Sequence, residues 1–182
     1  MEHILLCGRR RSGRSALIRR LLQGIDVPVF GYETLTLGTR PDGFHEIYLY
    51  PYGQERPVKR EENHVADCDT RNRVVRSEVF NGLGVALLAE ERPGILVMDE
   101  IGFMESGAED FCRAVLARLD GPTPILAAVR SGIETDFLRA VTSHPAARVV
   151  QMRPQRFDQL YRELRPLVRD WERSIKEQAD KC

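Results

Sequence analysis

No run of apolar residues in this chain approaches the roughly 18 that a membrane-crossing helix needs, so a spanning helix is excluded. Charge of one sign is missing too: 27 Lys and Arg balance 27 Asp and Glu. Without a global positive field the chain is not expected to bind nucleic acid or an anionic membrane surface, and any basic site has to be local. Cysteine is sparse. Cys7, Cys68, Cys112 and Cys182 stand apart, with no C-x-x-C pair and no signal peptide, which predicts a reducing, cytoplasmic setting. Internal repeats and low-complexity linkers are also lacking, so a single domain over residues 1–182 is expected.

What is present has globular composition, 42% hydrophobic and 30% charged. Residues 3–7 read as a buried strand. A glycine loop follows, then apolar residues at helical spacing from Ser15 to Leu22, ended by Gly24. Val27–Phe30 is a second strand, weakened by Pro28. Residues 31–44, with three glycines and a proline, read as loop, and 46–50 as strand. Residues 51–73 are polar and without pattern, an irregular insertion. Beyond them come a helix over about 78–91, the apolar strand Ile95–Met98, helix 107–119, strand 125–129, a helix near 132–142, strand 148–152 and a C-terminal helix from about 154. The alternation predicts an α/β fold with a mainly parallel sheet sandwiched between helices, binding its ligand at the carboxyl ends of the strands.

The densest basic cluster lies in residues 9–20, with Arg9, Arg10, Arg11, Arg14, Arg19 and Arg20, and it overlaps "CGRRRSGRS", residues 7–15. Gly8, Gly13 and Ser15 have the spacing of the phosphate-binding loop G-x-x-x-x-G-K-[ST], with Arg14 in place of the lysine. A strand–glycine loop–helix unit gathers backbone N–H groups and a positive helix end around a polyphosphate. Gly8, Arg9, Arg10, Arg11, Ser12, Gly13, Arg14, Ser15 and Ala16 are therefore the candidate nucleotide-binding residues. Ser15 would place its hydroxyl on Mg²⁺, and Arg14 would reach the β- and γ-phosphates. Guanidinium is a wider, planar fork where ammonium is a point charge, so Arg14 is expected to grip phosphate but to turn it over slowly.

"ILVMDEIGFME", residues 95–105, is an independent second signal. Its strand ends in Asp99-Glu100, where a P-loop enzyme keeps an acid for Mg²⁺. Asp99 suits that role, and Glu100 suits activation of the attacking water. These two segments, with "GYET" at 31–34, "GTRPDGF" at 38–44 and the strand at 125–129, resemble in order the small nucleoside-triphosphatases often called cancer-related nucleoside-triphosphatase. The resemblance runs from about residue 3 to 165 and is sharpest in "DEIGFME". It implies a P-loop fold and slow, Mg²⁺-dependent hydrolysis of nucleoside triphosphates such as ATP or GTP, with broad base tolerance. It also places Arg40 in the family's Gly-x-Arg-x-Gly-Phe-like stretch, which Pro41-Asp42 lengthens by a residue. Two departures stand out. The family's loop lysine is Arg14 here, and its Thr-x-Glu-x-Arg pattern reads Thr34-Leu35-Thr36-Leu37-Gly38.

Two other readings stay open: a nucleotide-binding module with little or no hydrolysis, and a P-loop kinase acting on a nucleotide or small metabolite. His64 and Cys68 lie near Asp67 and Asp69, but no second Cys/His pair completes a metal motif. Arg71, Arg73 and Arg76 read as a solvated loop in preference to a lid. Arg130 suits the γ-phosphate and a surface ion pair equally. The C-terminal helix carries Phe157, Leu160, Tyr161, Leu164, Val168, Trp171 and Ile175 on one stripe, with a kink expected at Pro166. That stripe fits docking on the sheet, giving a monomer, or a weak homodimer.

Overall fold

The computed structural model describes residues 2–179; Cys182 lies outside them. In chain order the elements are β1 (His3–Gly8), α1 (Arg14–Leu22), β2 (Val29–Thr39), β3 (His45–Pro51), β4 (His64–Cys68), β5 (Arg73–Val75), α2 (Ser77–Val79), α3 (Val85–Leu88), β6 (Ile95–Ile101), α4 (Glu109–Asp120), β7 (Ile125–Arg130), α5 (Asp136–Thr142), β8 (Ala147–Gln151) and α6 (Phe157–Ala179). A π-helical turn, Phe80–Gly84, joins α2 to α3. The eight strands form one sheet in the order β5-β4-β3-β2-β6-β7-β1-β8. From β2 to β8 every pairing is parallel. β3, β4 and β5 extend the sheet as an antiparallel meander.

β1 shows why the parallel strands read as unbroken apolar runs. Successive side chains point to opposite faces. Ile4 and Leu6 pack beneath α1 and α6, with Leu17, Ile18, Leu21, Leu164 and Trp171. Leu5 and Cys7 face the other layer, where Phe111 of α4, Phe80 and Met98 meet. The apolar stripe of α6 is thus buried within the chain, and the helix runs on through Pro166. No helix among the described residues is long and apolar enough to cross a membrane.

Two segments depart from the sequence expectation. Residues 31–39 are not loop: β2 continues to Thr39 and pairs with β3. Gly31 sits there because a Cβ would stand 2.1 Å from the Val97 carbonyl oxygen. Beyond it Tyr32, Thr34 and Thr36 supply aromatic and β-branched residues at strand period. The turn falls later, at Arg40–Gly43, where the Gly43 N–H donates to the Arg40 carbonyl at 2.9 Å. Residues 51–73 are likewise not irregular throughout, since they contain β4 and the tight Asp69–Asn72 turn into β5. β4 buries Val65, Ala66 and Asp67, and a buried acid hides a strand from a hydrophobicity reading.

β1 carries the glycine loop and β6 the acidic pair, and only β7 lies between them. Both chain segments therefore emerge side by side at the carboxyl edge of the sheet.

Candidate active site

The loop between β1 and α1 has the backbone of an anion cradle. Gly8 leaves no room for a side chain, since a Cβ would lie 2.4 Å from Ser12 Oγ. Arg11 (φ 62°) and Gly13 (φ 90°) adopt left-handed conformations. Left-handed residues set among right-handed neighbours gather N–H groups into an anion-binding concavity. The Ser12 N–H donates to the Arg9 carbonyl at 3.2 Å and closes the turn. The first turn of α1 holds no acid, so the positive end of its dipole faces the loop unneutralised.

The acidic strand end stands against the first turn of α1. Ser15 Oγ donates to Asp99 Oδ1 at 2.8 Å. Asp99 pairs with Ala128 and Ile101 with Val129, so Glu100 is the extra residue of a bulge. A bulge re-aims side chains at a strand end. Here Asp99 goes inward, 5% exposed, and Glu100 outward to the cleft. Burial raises the Asp99 carboxyl to about 6, against the pull of the Ser15 hydrogen bond. Thr34 Oγ donates to the Asp99 carbonyl at 3.4 Å.

Glu100 lies between two guanidinium groups. Its Oε2 is 2.8 Å from Arg14 Nη2, and its Oε1 is 3.3 Å from Arg130 Nη1. Arg14 is 5% exposed, and its Nη1 has no hydrogen-bond partner among the described residues. Behind the bulge, Glu105 is fully buried and its Oε2 accepts the Gly102 N–H at 2.9 Å. Burial, reinforced by the Glu100 charge, raises its carboxyl to about 8.

A cleft of about 680 Å³ opens over these groups. Seven arginines line it, Arg10, Arg11, Arg14, Arg19, Arg71, Arg73 and Arg130, against three carboxylates, Asp69, Asp99 and Glu100. In a chain of zero net charge this is the local basic site that composition required. Ser12, Gly13, Ser15 and Ala16 line it as well. Gly8, at the end of β1, and the exposed Arg9 do not line it, and the Arg9 carbonyl accepts from Arg14 Nη2 at 3.4 Å.

Arg40 stands apart. It sits on the β2–β3 turn, pairs with Asp42 at 2.6 Å and does not line the cleft. Arg71 and Arg73 are exposed, as expected of a solvated segment, and they also line the cleft; the Arg73 guanidinium lies 4.6 Å from the Phe103 ring centroid. Arg76 instead pairs with Asp67 at 2.9 Å. Arg19 belongs to the basic cluster but not to the residues expected at the site, and Thr34 and Phe103 have no expected site role either. Arg19 had a readable signal, one helical turn beyond Ser15; Thr34 had none, because its strand was not recognised. Glu46, His64 and Asp67 come close enough to share a cation, but Lys59 already pairs with Glu46 and Arg76 with Asp67. Cys68 is outside that group.

Comparison with known proteins agrees with this architecture. No curated protein sequence matches the chain. The fold is similar to the crystal structure of THEP1 from the hyperthermophile Aquifex aeolicus, with a TM-score of 0.70 over 92% of this chain and 99% of that one, at 16% identity. The profile of a protein family described as NTPase matches residues 3–165, the whole sheet with both the glycine loop and the acidic strand end. The chain therefore belongs to that NTPase family and has its P-loop α/β fold.

Proposed function

We propose that this protein is a Mg²⁺-dependent nucleoside-triphosphatase that converts a nucleoside triphosphate and water to the diphosphate and phosphate, slowly and with broad base tolerance. The observation that carries the reading is the 2.8 Å contact between Ser15 Oγ and Asp99 Oδ1. It joins the glycine loop to the acidic strand with a pair of hard oxygen donors. That donor set fits Mg²⁺, which favours carboxylate and hydroxyl oxygens. Asp99 fits it further, because it is a buried carboxylate with no ion pair among the described residues, and its raised proton affinity reports a charge still to be compensated. When bound, the metal would neutralise charge developing on the phosphate oxygens.

The chain's own groups do the rest. Loop N–H groups and Arg14 hold the β- and γ-phosphates. Glu100 orients a water and takes its proton as the water oxygen bonds to the γ-phosphorus and the bridging oxygen leaves with the diphosphate. Arg14 is engaged by the Arg9 carbonyl and by Glu100, contacts that compete with its grip on phosphate. A misplacement of about 1 Å can cost on the order of 10²-fold in rate, which supports slow turnover. Base tolerance rests on the family resemblance alone. Burial of the C-terminal stripe supports a monomer.

The Arg14–Glu100 pair also favours a second reading, a nucleotide-binding module whose base is permanently neutralised. Variants separate the two. Ser15→Ala and Asp99→Asn should weaken binding of a Mg²⁺–triphosphate in calorimetry. Glu100→Gln should lower phosphate release by about 10²–10⁴-fold, the usual worth of a general base. A parent that binds the triphosphate and releases no phosphate would leave the module reading standing, and equal measurable release by parent and Glu100→Gln would mean that Glu100 is not the base.

A further inference from the structure

Arg130 has no part in the reading above, yet it holds a defined place. It ends β7, paired in register with Gly8 of the phosphate-loop strand, and the Ser131 N–H donates to the Gly8 carbonyl at 3.0 Å. β7 also lies beside β6, so Arg130 stands directly between the loop and the acidic bulge. Its side chain is 27% exposed and lines the cleft. Its sole ion pair among the described residues is with Glu100, through one nitrogen at 3.3 Å, which leaves most of its fork unused. Arg14 reaches the same carboxylate from α1 and keeps a buried Nη1 without an acceptor.

One carboxylate cannot satisfy two guanidinium groups of five donors each. A polyphosphate can, because it brings several charges and bidentate oxygen edges that match the fork. A diphosphate seated on the loop reaches Arg14. On the reading above the γ-phosphoryl is the group next to Glu100, the carboxylate that Arg130 contacts at 3.3 Å, and a diphosphate would place no phosphoryl there.

We propose that Arg130 is the γ-phosphate ligand of this site: it distinguishes triphosphate from diphosphate, and a triphosphate frees Glu100 by drawing Arg130 and Arg14 away from it. In the nucleotide-free protein the ion pairs keep the carboxylate neutralised. With a triphosphate bound, the guanidinium groups neutralise phosphate oxygens instead, and Glu100 becomes available to a water. The proposal rests on the placement of the nucleotide at the loop given above, but its test needs no turnover.

The test is calorimetric titration, in Mg²⁺, of the β,γ-imido analogue of ATP and of ADP into the parent, Arg130→Ala, Arg130→Lys and Glu100→Gln proteins, with a thermal melt of each. Arg130→Ala should lose about tenfold or more in affinity for the imido triphosphate, as expected for a lost charge-assisted contact, and keep its affinity for ADP. Arg130→Lys, which keeps charge but not the fork, should retain part of the preference. Glu100→Gln should bind the imido triphosphate several-fold tighter, because nothing competes for the arginines. A triphosphate preference undiminished in Arg130→Ala, or no tightening in Glu100→Gln, overturns the proposal. If Arg130→Ala does not fold, the Lys and Gln variants decide by the same criteria. This binding pattern without any phosphate release by the parent would remove the hydrolase reading and leave the role of Arg130 intact.

Discussion

At position 14 a planar guanidinium stands where the phosphate-loop pattern G-x-x-x-x-G-K-[ST] has an ammonium, and the structure shows what the guanidinium contacts. Arg14 is long enough to bond the Arg9 carbonyl and the Glu100 carboxylate together. If the loop is otherwise intact, Arg14→Lys should raise kcat with little change in triphosphate affinity, because lysine's point charge releases Glu100. Arg14→Ala should cost about 1.5–3 kcal/mol of triphosphate binding. Calorimetry with a non-hydrolysable triphosphate checks both, and equal affinity in parent and alanine variant would remove Arg14 from the phosphate site. Buried acids set a second expectation. Glu105 is held up at about 8 against 4.5 for the free side chain. Between those values the folded protein keeps a proton that the unfolded chain has lost. Its stabilising effect is full below about 4.5 and is lost as pH rises through 8, at up to ~1.4 kcal/mol per pH unit. Asp99, at about 6 against 3.8, acts in the same direction at lower pH. The melting temperature of the nucleotide-free protein should therefore fall from about pH 5 to about pH 8. Glu105→Gln keeps an oxygen for the Gly102 N–H and should flatten the upper part of that fall; a melting temperature that climbs over the range contradicts the burial account.

Elements differ in how legible they were. β1, β6 and β7 announce themselves because both faces are buried and every residue is apolar. The positions of Gly8, Gly13, Ser15, Asp99 and Glu100 followed from those strands, since each sits at a strand end or helix start whose place the fold dictates. β2 beyond Phe30 was hidden by glycines that serve packing, Gly31 against Val97 above all. β4 was hidden by Asp67, which is buried only because Arg76 and His64 pair with it. Arg71, on the β4–β5 turn, and Arg73, at the start of β5, are exposed as expected, and their place on the cleft could not be read without that strand. Arg40 was placed by resemblance, and the residue added at Pro41-Asp42 lies in the turn that points it elsewhere. α6 gives the test at this scale. Trp171 is 7% exposed against the α1 layer, so Trp171→Ala should destabilise the fold by about 3–5 kcal/mol in denaturant unfolding. Unchanged stability and unchanged nucleotide binding would mean that α6 does not hold α1 and its loop in place.

At the scale of the molecule, positive charge gathers at one rim. Chain charge sums to zero, yet the carboxyl edge of the sheet collects seven arginines around two acids from β6 and one from the β4–β5 turn. Strand order explains this, because β1 and β6 flank β7 and bring loop, acids and Arg130 to one rim. The central claim is that this rim hydrolyses nucleoside triphosphates with Mg²⁺. Its most direct test is phosphate release from ATP, GTP, CTP and UTP by the purified protein, with Mg²⁺ and with excess chelator, beside Glu100→Gln. The account predicts slow release that depends on the metal, runs at comparable rates for the four bases and nearly vanishes in the Glu100→Gln protein. Release from none of the four above that variant's background, or release undiminished by chelator, would contradict it.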